Sequence, residues 1–174
     1  YTSGIEAYNA GVDGIIVQDL GLASRLISSH IPVHSSTQLT VYNKEGAQQV
    51  RELGFTRCVL ARELSLSEIK TITDNVPMET EVFCHGALCM SYSGQCLMSF
   101  CQGGRSGNKG DCAQPCRMAY SFAAGKMLHH LSPSDLCTLP FLDKLINTGV
   151  TSLKIEGRLK SPAYVAAVTG TYRK

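Results

Sequence analysis

TGVTSLKIEGRLK (148–160) decides the fold, because the same plan returns in AGVDGIIVQDLGL (10–22) and LGFTRCVLARELS (53–65). The second residue of each stretch is a glycine, Gly149, Gly11 or Gly54, placed where a helix must stop in the left-handed conformation. A short β-branched or apolar strand follows, and then a polar or charged cluster. Apolar runs of this kind predict strands buried on both faces, as in a parallel sheet covered by helices. IPVHSS (31–36) and METEVFCHG (78–86) supply two more strands.

Helices fill the intervals. Residues 21–29 form a short one, and Val41, Ala47, Val50 and Leu53 recur at helical spacing over 41–53. Ser65-Leu66-Ser67-Glu68 resembles a capping box that opens a third helix. Ser134 or Asp135 caps a fourth, running to about Asn147. Ser161-Pro162 is a cap with proline at the first helical position of a fifth. The fold class is therefore α/β with a parallel sheet. Five strands are fewer than the eight of a closed barrel, so the chain is either part of a TIM-like β/α barrel or an open sheet. Tyr1 opens the chain inside a helix-like run, which reads as a piece of a longer protein.

The alternation breaks at about 87–132, a segment rich in Gly and Ser with little periodicity. It reads as a Cys-rich loop subdomain inserted after the fourth strand, at the end where active sites of such folds form. Four of the eight cysteines, Cys89, Cys96, Cys112 and Cys116, fall here with the spacing C-x6-C-x15-C-x3-C. Four thiolates can hold an Fe–S cluster or a zinc ion. Only Cys112 and Cys116 have knuckle-like spacing, which favours the cluster. A disulfide framework is disfavoured by the lack of a secretion signal. Gly86, Gly94, Gly103, Gly104 and Gly110 would let the backbone approach the centre. Cys137 is a rival fourth ligand, read otherwise as a small buried residue. Cys58 belongs to the core. Cys84 and Cys101 are left out of the ligand set.

With 44% hydrophobic and 17% charged residues, the chain reads as globular. A net charge of +2 neither argues for nucleic acid nor excludes it. No apolar run is long enough to span a membrane, so the default location is cytoplasmic.

Glu81-Val82-Phe83-Cys84-His85-Gly86-Ala87-Leu88-Cys89 and Ser93-Gly94-Gln95-Cys96-Leu97-Met98-Ser99 resemble the signature of peptidase family U32, also called collagenase-like. GGRSGNKGDCAQPCR (103–117), LSPSDLC (131–137) and SLKIEGRLKSPAYV (152–165) resemble the family as well. The resemblance implies a β/α barrel, of which residues 1–174 would hold the later part. It implies two activities. One is a collagenase-like peptidase acting on protein. The other is oxygen-independent hydroxylation, with members acting on tRNA wobble uridine, a ribosomal RNA cytidine or a ubiquinone precursor. Those members carry a 4Fe–4S cluster, and prephenate is the hydroxyl source linked to the RNA-modifying ones. Cys89, Cys96, Cys112 and Cys116 match the cluster positions.

No H-E-x-x-H or G-x-S-x-G occurs. Cys84 and His85, adjacent on a strand, are expected to face opposite ways and not to pair. The favoured reading is RNA hydroxylation, with a peptidase and a zinc-stabilised binding module as alternatives.

Polar residues gather at the predicted strand ends: Gln18 and Asp19, then Ser36 to Gln38, Arg62 and Glu63, His85, and Glu156 with Arg158. Arg62 and Arg158 suit a carboxylate such as that of prephenate, with Gln38 and Arg105 as further substrate contacts. His85, Glu156 and Arg158 are the catalytic candidates. His85 is otherwise a structural histidine, and Glu156 otherwise an arginine's partner. Arg105, Lys109 and Arg117, with Tyr92 and Tyr120, either grip RNA or offset the charge of the thiolates.

Overall fold

The computed structural model describes residues 1–93, 95–121 and 125–174. The leading helix α1 spans Thr2–Asn9. Strand and helix then alternate: β1 (Ile15–Val17), α2 (Leu20–Ser28), β2 (Val33–Ser35), α3 (Lys44–Glu52), β3 (Arg57–Val59), α4 (Leu66–Asn75) and β4 (Glu79–Gly86). The segment after β4 carries α5 (Met98–Gly103). After it come β5 (Leu136–Cys137), α6 (Leu142–Ile146), β6 (Ser152–Glu156) and α7 (Pro162–Tyr172). Strands β1 to β4 lie side by side in parallel, and β6 joins β4 in parallel. The architecture is α/β with a mostly parallel sheet.

The local signals act as their chemistry requires. Gly11, Gly54 and Gly149 all have positive φ, from 87° to 96°. Ser65 and Glu68 form the reciprocal capping box of α4, and Ser161 caps α7 ahead of Pro162. Helix α3 starts three residues later than its apolar period, because the Asn43 side chain accepts from the Gly46 amide and fixes the cap there.

Two expectations are corrected. The single helix from Ser134 to Asn147 is instead the short β5, a 3-10 turn over Leu139–Phe141, and α6. Pro140 has no N–H and restricts the residue before it, so a helix cannot run through this point. The two-residue β5 is antiparallel to β4, so the sheet is not wholly parallel.

The second correction concerns the sheet faces. Val17, Ser35, Cys58 and Thr80 form one buried row across β1 to β4. With Val33, Val82 and Cys84 they meet Leu26, Val50, Ile69 and Ile72 of the helices, forming the core. The alternating row is Ile16, His34, Arg57 and Glu79. That face is charged, not apolar. Arg57 pairs with Glu79 at 2.8 Å and Glu81 at 3.3 Å, and Lys154 pairs with Glu81 at 3.1 Å. Ser152 donates to the same Glu81 carboxylate at 2.8 Å. Opposite charges on neighbouring strands satisfy one another, so this face needs no apolar cover.

Candidate functional site

The ends of four strands and the cysteine segment enclose a cavity of about 360 Å³. Thr37 and Gln38 follow β2, Arg62 follows β3, Phe83 comes from β4, and Glu156 and Arg158 from β6. Cys89, Cys96, Cys112 and Cys116 all line it, as do Met98, Ser99 and Arg117. Four thiols separated by up to 27 positions in sequence thus meet on one cavity. Burial pushes the Cys116 thiol up, as does a neighbouring charge on Cys89, while the Arg117 guanidinium pulls it down. Among the described residues, no three His, Cys, Asp or Glu side chains are gathered tightly enough for one metal ion. The four thiols share the lining of one space. Gly94, one of the glycines expected beside them, lies outside the described residues.

Strand β4 reaches this site through a close crossing. Gly86 has φ +106°, and a Cβ there would stand 2.3 Å from the carbonyl oxygen of Glu156. Only glycine lets β4 and β6 end side by side at the cavity.

The segment is held down by polar groups from several strand ends. Gln38 donates its side-chain amide to the Gly107 carbonyl at 2.6 Å, and Arg158 donates to the Gly110 carbonyl at 2.6 Å. Glu156 accepts from the Arg158 backbone N–H at 2.9 Å, not from its guanidinium. Arg62 lies over the Phe83 ring, 5.4 Å from its centroid. Arg117 donates to the carbonyls of Leu88 and Pro133 and to the Ser132 hydroxyl, and stands 3.6 Å from Asp135. It therefore ties Leu88, just after β4, to residues 132–135, just before β5.

Other candidates fall outside the cavity. Arg105 binds the carbonyl and carboxylate of Asp111 on the surface. Asp19 caps α2 by accepting from the Leu22 amide, and Gln18 and Asp19 line a separate cleft beside Tyr1. Tyr120 donates its hydroxyl to the Pro115 carbonyl, whereas Tyr92 is half exposed and meets Tyr42 edge to face.

His85 is displaced by a bulge. Phe83 pairs with Lys154 but His85 pairs with Ile155, so Cys84 is an extra residue in β4. Lys154 and Ile155 face opposite ways, and so do Phe83 and His85. Phe83 lines the cavity, while His85 packs beneath α7, with Nδ1 3.3 Å from the Tyr172 hydroxyl and its ring against Tyr164. The expected opposition of Cys84 and His85 is thereby corrected, since both turn to the helix side. Cys84 is fully buried, and burial pushes its thiol up to about 11, which keeps it protonated. Cys58 is likewise buried in the core. Cys137 is exposed on β5, not buried, and does not line the cavity.

Sequence reasoning passed over Phe83, Met98, Ser99 and the anchor between Glu63 and Ser93. Glu63 accepts from both the amide and the hydroxyl of Ser93, at 2.9 and 2.8 Å. The available signal was the position of Glu63 at the end of β3, level with Arg62.

The fold and site define a parallel-sheet α/β protein with a cysteine-lined cavity at the C-terminal strand ends. Residues 5–174 match the sequence profile described as peptidase family U32, and the chain belongs to that family. It is 43% identical to a 23S rRNA 5-hydroxycytidine synthase of Escherichia coli K12, over 97% of this chain and 27% of that protein. It is 40% identical to a tRNA hydroxylation protein of Bacillus subtilis 168, over 98% of this chain and 45% of that one. A collagenase of Porphyromonas gingivalis W83 is 35% identical, over 97% of this chain and 45% of that one. The chain thus spans between about a quarter and a half of the length of these relatives. The solved structure of a U32 peptidase superposes with a TM-score of 0.52 and 17% identity, over 88% of this chain and 58% of that one, a likeness of fold.

Proposed function

We propose that this chain provides the cofactor site of an oxygen-independent RNA hydroxylation protein, with Cys89, Cys96, Cys112 and Cys116 holding a 4Fe–4S cluster. The observation that carries the reading is the convergence of these four thiols on one cavity with Arg62, Arg158 and Glu156. A cluster places its four ligands on four separate irons, so it needs thiols around a space. A single zinc ion needs them at a point. When bound, such a cluster would supply an exchangeable electron. In this reading the sheet is the later part of a β/α barrel, with 87–132 as the inserted subdomain.

The chain's own groups have distinct parts. Arg62 and Arg158 bring two guanidinium groups to the cavity, a fitting partner for the carboxylates of a donor such as prephenate. Gln38 and Arg158 hold the 107–110 turn beside the cavity. Glu156 is the one carboxylate among the described lining residues and is the candidate to hold or move a proton there. The similarity to proteins named for RNA hydroxylation supports RNA as the substrate, with tRNA wobble uridine favoured and a 23S rRNA cytidine as the other arm.

The peptidase reading draws support from the similarity to a collagenase. It finds no cysteine–histidine pair there, because no histidine lines the cavity among the described residues. Protein purified without oxygen should contain about four irons per chain. Changing Cys89, Cys96, Cys112 or Cys116 to Ala should remove the iron, and Cys137→Ala should retain it. A deletion strain should lose one hydroxylated nucleoside from tRNA or 23S rRNA. Colourless, iron-free protein that cleaves gelatin would overturn the proposal.

A further inference from the structure

Glu63 follows β3 and does not line the cavity, yet it holds the centre of the loop that carries the first two cysteines. Ser93 lies between Cys89 and Cys96 and is fully buried. Its amide donates to one Glu63 carboxylate oxygen at 2.9 Å and its hydroxyl to the other at 2.8 Å. The hydroxyl oxygen also accepts the Arg62 backbone N–H at 3.3 Å. The Ser93 carbonyl accepts the Thr40 hydroxyl at 2.6 Å. Every polar group of Ser93 therefore has a partner, and all the partners lie at the ends of β2 and β3.

We propose that Glu63 is a positioning residue: its carboxylate latches Ser93 and thereby sets where Cys89 and Cys96 stand relative to Cys112 and Cys116. Only a carboxylate accepts from both the amide and the hydroxyl with two separate oxygens. An amide at this position has one accepting oxygen and turns its NH2 towards a donor. Charge-assisted bonds of this kind are also stronger than neutral ones. Because Arg62 lines the cavity and its amide closes the same network, the latch couples the placement of a guanidinium to that of two thiols.

The test compares Glu63→Ala and Glu63→Gln with Glu52→Ala, a control on the exposed end of α3. Hydrogen exchange of the reduced, metal-free chain should be followed by mass spectrometry. Exchange over 88–97 should accelerate at least tenfold in E63A and by an intermediate factor in E63Q. The β3 and β4 peptides and the E52A chain should match the parent. Exchange over 88–97 within twofold of the parent in E63A would overturn the proposal. So would an equal acceleration through β3 and β4, which marks general loss of stability. Iron per chain, measured after anaerobic loading, deepens the test and rests on the cluster reading. E63A should bind severalfold less iron than the parent with all four cysteines intact, and undiminished iron would also overturn the latch. If the parent itself takes up no iron, the cluster reading fails and the exchange rates alone decide the latch.

Discussion

Arg158, two residues beyond β6, reaches a guanidinium nitrogen to within 2.6 Å of the Gly110 carbonyl, 48 positions earlier in the chain. That bond joins the last strand to the turn just before Cys112. Arg158→Ala should free the turn while leaving the core intact. A charge-assisted bond is worth about 1.5–3 kcal/mol when buried and less at an exposed site such as this one. The expected outcome is a severalfold faster tryptic cleavage after Arg105 and Lys109, with an unchanged melting temperature to within a few degrees.

Gly86→Ala should be among the most damaging single changes in the chain. The added Cβ would lie 2.3 Å from the Glu156 carbonyl oxygen, and φ is +106°. Left-handed backbone alone costs about 1–2 kcal/mol for a residue with a Cβ, and the clash adds to it. Gly103→Ala, with open space around its Cβ, should be neutral or slightly stabilising. Thermal melts of the two variants, run side by side, check the contrast.

Glu81 gives the fold an acid limit. Burial pushes its carboxyl up, but Lys154, the Ser152 hydroxyl and Arg57 together outweigh burial and hold it below the usual range. A depressed carboxyl contributes stability that is present above the ordinary glutamate value and lost as pH falls through the lowered one. His34 acts in the same direction from higher pH. Burial, and then Arg57, lower its pKa, so the unfolded chain takes up a proton first as pH drops through the ordinary histidine range. Urea midpoints should therefore fall below about pH 6.5 and fall further below about pH 4.5. Glu81→Gln should flatten the lower step. It should also cost roughly 1–3 kcal/mol at neutral pH by leaving Arg57 and Lys154 undercompensated.

Ser65→Ala should cost about 1 kcal/mol through loss of the α4 cap. Its hydroxyl accepts from the Glu68 amide, and the Glu68 side chain accepts from the Ser65 amide at 2.8 Å. Equilibrium denaturation should show the loss with an unchanged slope.

Arg117→Lys should fail to replace the native side chain. One ammonium cannot reach the Leu88 carbonyl, the Ser132 hydroxyl and the Pro133 carbonyl in the planar arrangement the guanidinium uses. Both Arg117→Lys and Arg117→Met should loosen the cysteine-bearing segment at its two ends, read as faster amide exchange over 87–90 and 131–135.

What could be read before folding was what depends on near neighbours. Gly149 at a helix stop, the Ser65–Glu68 box and Ser161-Pro162 each act within one turn of chain, and each does in the structure what its chemistry demands. The α/β alternation followed from them. The facing of His85 did not, because an extra residue at Cys84 shifts the alternation, and only pairing with β6 reveals it. The charged face of the sheet was equally hidden. Arg57, Glu79 and Lys154 lie in strands expected to be apolar on both faces, and only the register sets their opposite charges together. At the site, the four cysteines stood out by spacing. Their anchors did not, since Gln38 and Gly107 or Glu63 and Ser93 are joined only by the path of the chain.

The bulge at Cys84 makes β4 a phase shifter. Before it, the strand keeps step with the charged layer; after it, the strand keeps step with the helical layer. Strict alternation through this residue would turn the imidazole of His85 the same way as Phe83, into the thiol-lined chamber; the bulge keeps it out. The chemistry open to that chamber is therefore governed as much by counting along one strand as by the side chains it displays.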